Sequence, residues 1–164
     1  MEIRDLLASE FEREMKGTRA TLERVPEGKS DYKPHEKSMS MSRLAGHLAQ
    51  LPALAVVIVD LPELDFATSD MKPLVMESRD QLLQAFDSNV QKARDAFART
   101  SDAALAQPWT LRHQSQVFLQ GSRYEAIRGM LLNHIIHHRA QLGVYLRLNG
   151  VPVPSIYGPS ADES

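Results

Sequence analysis

Asn133-His134-Ile135-Ile136-His137-His138-Arg139-Ala140-Gln141 is the stretch on which the reading of this chain turns. It holds three of the six histidines within five positions. Upstream, Ser122-Arg123-Tyr124-Glu125 has the form of a capping box, in which the serine hydroxyl takes the Glu125 amide proton and the Glu125 side chain returns to Ser122. Downstream, Asn149, Gly150 and Pro152 are stop signals. One helix from Tyr124 to Leu148 is predicted. Along it Ile127, Leu131, His134, His138, Leu142 and Tyr145 recur every three or four residues and share a face. Two imidazoles therefore interrupt an apolar stripe. Residues four apart on a helix hold their Cβ atoms roughly 5–6 Å from one another, so both rings can reach one cation. The competing reading is a pair of core histidines, each hydrogen-bonded to its own partner in the same small space.

A third nitrogen is offered by the segment after Ser38-Met39-Ser40-Met41-Ser42-Arg43, where Leu44, His47, Leu48, Leu51, Leu54 and Ile58 form another apolar stripe. His47 interrupts it near its start. Three neutral imidazoles from two helices, with a position left open, is the pattern of a reactive divalent site rather than a closed structural one. Gln141 and Tyr145 lie three and seven positions beyond His138 and face the same interior, either lining the site or packing in the core with satisfied polar tips. His35 and His113 read as loop or surface residues.

These residues resemble the DinB-like family. The resemblance rests on Tyr32-Lys33-Pro34, Ser38-Met39, Leu44 to Leu48 with His47 in place, Asn133 to Gln141 and Tyr145-Leu146-Arg147-Leu148. The tail from Val153 to Glu163 looks like one branch of the family. The resemblance implies an all-α fold, an up-down four-helix bundle with long connecting loops over a single domain spanning 1–164. It implies one divalent metal ion held by His47, His134 and His138, with His137 not a ligand. Among such relatives are thiol-dependent transferases or isomerases that work with a low-molecular-weight thiol; no particular reaction comes with the resemblance.

Composition narrows the rest. A chain of 164 residues suits one domain. Hydrophobic content of 43% is too high for disorder, and a net charge of -2 offers no basic field for phosphates, so no nucleic-acid partner is expected. With no cysteine, thiolate ligands, disulfides and a cysteine nucleophile are excluded, and the absence fits a cytoplasmic setting. The longest apolar run, Leu51 to Val59, contains Pro52, and no membrane partner is expected.

Helices are predicted near 1–25, 40–59, 78–100 and 122–148, the second kinked at Pro52 one turn beyond His47. Ser78-Arg79-Asp80-Gln81 reads as a second capping box. Residues 61–75 read as a crossover loop long enough to cover something. From 100 to 121, Trp109, Leu111, Val117 and Leu119 alternate as in a short strand or extended arm, without a clear hairpin signal. Ile156 and Tyr157 are apolar enough to anchor the tail. Leu132, Ile135, Ile136, Gly143 and Leu146 form a lateral strip on the last helix, and a homodimer through that helix is expected. Asp60, Glu63 and Asp65 are acids with no spacing that ties them to the histidines.

Two functions fit. One is a divalent-metal-dependent enzyme, Zn or Ni being favoured by imidazole donors, that activates water or a thiol for hydrolysis or thiol-dependent group transfer on a small molecule. The other is a non-catalytic metal-binding helical module.

Overall fold

Each long helix is started by a specific hydrogen bond. A computed structural model describes residues 2–164. In it the Ser40, Ser78 and Ser122 hydroxyls accept the N–H of Arg43, Gln81 and Glu125, three residues on. Only Ser122 forms the reciprocal capping box, since Gln81 Oε1 instead accepts the Glu77 N–H at 3.0 Å. The first helix lacks a local cap. Its N-terminal amides at Ile3 and Arg4 donate to the Asp102 carboxylate, both at 2.9 Å, a partner ninety-odd residues away.

The elements in order are α1 (Ile3–Leu22), α2 (Met41–Gln50), a 3-10 turn (Leu51–Ala53), α3 (Leu54–Asp60), β1 (Glu63–Asp65) and α4 (Arg79–Arg99). Then come α5 (Asp102–Leu105), β2 (Pro108–His113), β3 (Gln116–Ser122), α6 (Arg123–Ala126), a π-helical segment (Ile127–Asn133) and α7 (His134–Leu148). The main framework is four helical rods: α1, α2–α3, α4 and α6–α7. Rod α1 packs on α4 and α7, while α2–α3 packs on α4, α7 and the π segment. Around the ring the order is therefore α1, α4, α2–α3, α7. This corrects the plain up-down succession: the connections from α1 to α2 and from α4 to α6 carry the chain across the bundle, whereas that from α3 to α4 joins neighbouring rods. Phe11, Leu48, Ile58, Leu82, Phe86, Ile127 and Leu131 meet in the buried centre, and the Phe11 and Phe97 rings lie 5.3 Å apart.

Two departures from the sequence-based expectation matter for the site, and one expectation is met. The chain is not purely all-α, because β1, β2 and β3 form a small mixed sheet in that order, β1 parallel to β2 and β2 antiparallel to β3. The hairpin turns at Gln114 and Ser115, with Gln114 in the left-handed region at φ 53°. A bulge beyond Leu111 then shifts the register, so Trp109 and Leu111 stay inward while Val117 is turned out to 52% exposure. The kink expected at Pro52 is present as the 3-10 turn between α2 and α3. Last, the expected single helix 122–148 is α6 and α7 joined by the π segment, which ends directly before His134.

The stretch Met41–Asp60, longer than the run Leu51 to Val59 singled out in the sequence, is long and apolar enough, by length and composition, to cross a bilayer. It is one of the four rods of the bundle, and 61% of its apolar window is buried. The lateral strip on α7 is also largely covered within the chain: Leu132, Ile135 and Leu146 are fully buried, and Arg139 pairs with Glu14 of α1 at 2.7 Å. Ile156 of the tail lies against Gly17 and Arg139, and the Tyr157 hydroxyl reaches Glu14 at 2.6 Å, so the tail is anchored as expected.

Candidate metal centre

His134 and His138 are one turn apart at the start of α7, and His47 enters from α2 before the Pro52 kink. Their Nε2 atoms converge, His134 to His138 at 2.9 Å and His47 to His134 at 3.3 Å. The ligating atoms of the three residues all lie within 4.8 Å of one another. Nitrogens bound at about 2.0–2.1 Å to one ion would stand roughly 3.0–3.4 Å apart, so the spacing is that of a shared cation.

The outer nitrogens decide what the inner ones carry. His138 Nδ1 lies 2.7 Å from Gln141 Oε1, and His134 Nδ1 lies 3.3 Å from the Met130 carbonyl. Both partners are acceptors, so both Nδ1 atoms carry the proton and both Nε2 atoms present bare lone pairs. Two lone pairs facing each other at 2.9 Å make no hydrogen bond. A proton shared between them is disfavoured, because burial pushes the pKa of both rings down, with neighbouring histidines adding to the effect. His47 is pushed down to about 4, first by burial, then by the charges of His138, His134 and Arg43. Each of these two rings does have its own outer partner, as the core-histidine reading expects, but that reading leaves the converging inner Nε2 atoms without one. The three rings form a neutral, convergent donor set that could hold a divalent ion, with two outer N–H groups already oriented by oxygen acceptors. Among the described residues no fourth histidine or carboxylate joins the set.

The other singled-out residues lie elsewhere. His137 is exposed on α7, with its ring beside that of His138 at 4.9 Å. His113 is exposed at the hairpin end, and His35 accepts the Lys37 N–H in the loop after α1. Tyr145 donates to the Met39 carbonyl at 3.1 Å and packs edge-on against Tyr32, which makes it a core residue. The acids serve the scaffold. Glu63 grips Arg112, Asp60 grips Arg99, and Asp65 is held below the usual carboxylate range by the amides of Ala67 and Gln114 and then by Arg112.

The crossover segment does cover something. Residues 72–74 lie on α2 beside the site, where Gln50 donates to the Lys72 carbonyl and accepts from the Leu74 amide, both at 2.7 Å. Close approach is possible because residue 46 is glycine, since a Cβ there would stand 2.0 Å from the Leu74 carbonyl oxygen. Two cavities flank the histidines. One is an inner chamber of about 100 Å³ whose wall includes His47, His134, Leu54, Met130 and Trp109. The other is an outer groove of about 250 Å³ carrying His47, Arg43 and Lys72. Trp109 escaped the sequence reading as a site residue, although its inward place in an alternating strand was visible.

Comparison with known proteins now adds the lineage. The family model described as "DinB family" matches residues 1–164. A crystal structure of a DinB-like protein from Bacillus subtilis is similar at TM-score 0.71 and 20% identity, the match covering 93% of this chain and 99% of that one. A DinB-like protein from Bacillus cereus is similar at TM-score 0.71 and 18% identity, covering 92% and 95%. At such identities the likeness is one of fold. No curated protein matches the sequence.

Proposed function

This chain belongs to the DinB family, and from that premise we propose that it is a divalent-metal-dependent enzyme whose three-histidine site serves hydrolysis or thiol-dependent group transfer. The observation that carries the reading is the convergence of three imidazole donors beside two cavities, two of them with Nε2 left bare, without a fourth histidine or carboxylate among the described residues. Zn or Ni suits an all-imidazole donor set. When bound, such an ion supplies Lewis acidity that makes water or a thiol nucleophilic near neutral pH.

The chain's own residues do the rest. His47, His134 and His138 hold the ion, while Gln141 and the Met130 carbonyl fix two of the rings in the correct tautomer. The 72–74 segment and the inner wall limit access of bulk water. Arg43 and Lys72 at the outer groove suit a polar co-substrate bearing negative charge, such as a low-molecular-weight thiol with a carboxylate. The reading includes a homodimer through the last helix, supported by Val144 and Leu148, which remain 57% and 58% exposed on α7. A monomer in sedimentation equilibrium at micromolar concentration overturns that part.

The test joins elemental analysis with a screen for thiol-dependent transfer and hydrolysis. One ion per chain is expected, lost in His134→Ala and His138→Ala and retained in His137→Ala. Stoichiometric metal without any turnover favours the non-catalytic module, and activity that survives removal of the metal overturns the catalytic role given to the ion.

A further inference from the structure

The two cavities beside the histidines lie back to back. His47, Gln50, Phe66 and Met71 belong to the walls of both, so one shared wall stands between the inner chamber and the outer groove. Gln50 is held there by its bonds to residues 72 and 74. Phe66 and Met71 are apolar side chains left 49% and 45% exposed, so neither is locked by packing, and the thioether of Met71 changes rotamer easily. The two spaces differ in chemistry. Apart from the shared wall the chamber is lined by groups such as Leu54, Ile58, Leu64 and Leu111, and no side chain with a full charge lines it. A charged group placed there would forfeit hydration without a compensating partner. The groove carries Arg43 and Lys72, and no Asp or Glu lines it to neutralise them, so it attracts an anion. The chamber volume of about 100 Å³ sets a size. An engineered apolar cavity of about 150 Å³ in another protein takes up benzene, so this chamber suits a compact group of about four or five heavy atoms.

We infer that the chamber and the groove are two halves of one binding site for a small amphiphile: an aliphatic end of about four or five carbons fills the chamber, and an anionic end, a carboxylate in the simplest case, meets Arg43 and Lys72. The proposed function is deepened thereby, since the anionic guest of the groove and the apolar guest of the chamber become the two ends of one molecule. Because His47 is part of both walls, the junction between the ends lies beside the metal centre. The inference rests on the metal reading only for that last placement, since binding to the two halves needs no metal.

The probes are straight-chain carboxylates, with 1-hexanol as the uncharged counterpart of hexanoate. Trp109 is the only tryptophan and its ring lines the chamber, so its fluorescence reports filling. In metal-free protein, affinity should climb about fourfold per methylene group from butanoate to hexanoate and stop climbing by octanoate, when the chamber is full. Leu54→Phe takes space from the chamber and should move that plateau to butanoate. Should this variant fail to fold, the wild-type chain-length series decides the chamber half. Arg43→Gln combined with Lys72→Gln changes two exposed side chains and should weaken hexanoate about fivefold while leaving 1-hexanol unchanged. Affinity that ignores chain length or keeps rising past octanoate overturns the inference. So does hexanoate binding that survives the loss of both cations, or that falls only as much as 1-hexanol binding falls. In Co-loaded protein the protons of bound hexanoate should broaden relative to the Zn-loaded form. Failure to bind Co stoichiometrically sinks the metal reading and leaves the metal-free result standing, whereas normal Co binding without broadening overturns the placement beside the metal.

Discussion

Gln141 Oε1 lies 2.7 Å from Nδ1 of His138, three residues earlier on the same helix. The contact joins an exposed amide to a buried imidazole, so it can be cut with little effect on packing. It holds the His138 proton on Nδ1 and leaves Nε2 free for a cation. For Gln141→Ala the expected outcome is metal affinity lower by about 10- to 100-fold with little change in melting temperature. Isothermal titration calorimetry against Zn and Ni checks it, and an unchanged affinity would remove Gln141 from the site.

Acid should act on the site with a definite sign. An imidazole free in the unfolded chain titrates near 6.5, whereas His47 in the fold is pushed down to about 4 and His134 and His138 are also lowered. Between those values the unfolded state binds more protons, so stability of the metal-free protein falls as pH drops from about 6.5 toward 4 and is insensitive to these groups above 6.5. Metal retention should persist well below pH 6.5, because the folded rings stay neutral there. Urea midpoints and metal content measured from pH 7.5 to 4.5 test both. Stability that rises on acidification across this range contradicts the depressed imidazoles.

Gly46 tests the covering segment. A methyl group at this position would collide with the backbone of Leu74, with distances of 2.0 Å to the oxygen and 2.8 Å to the carbon. Backbone cannot swing aside like a side chain, so Gly46→Ala should cost about 1–3 kcal/mol or displace residues 72–74 and their contacts with Gln50. Faster proteolysis within 69–77 together with a lower melting temperature is the expected pattern. A variant with wild-type stability and protection shows that the segment is not held as described.

The second interior polar contact is purely structural. Arg139 and Glu14 pair at 2.7 Å with side chains 5% and 7% exposed, and the Tyr157 hydroxyl closes over them. Glu14→Ala leaves a guanidinium buried without its counterion, which should cost about 3–5 kcal/mol in chemical denaturation. Tyr157→Phe should cost far less, because the ion pair survives. A loss below 1 kcal/mol for Glu14→Ala would mean that Arg139 finds water instead.

Much of this protein was legible in the sequence because the interactions involved are short in range. Serine caps, the 3.6-residue stripes, the break at Pro52 and the four-residue spacing of His134 and His138 are set within a turn or two of helix. The same locality let His47 be singled out as an imidazole interrupting an apolar stripe, and the whole-chain family match agrees with that framework. What tertiary structure alone decided involves partners far apart along the chain. The Asp102 carboxylate that caps α1, the pairing of β1 with β2 and the Glu14–Arg139 contact all depend on loops closing over long spans, for which local propensity carries no signal. The π segment before His134 has no identifiable local cause. The bulge that turns Val117 outward, the approach of Leu74 to Gly46 and the unpartnered indole of Trp109 arise from packing the small sheet and the covering segment against the helices. In such packing a single backbone offset decides which side chains face the histidines.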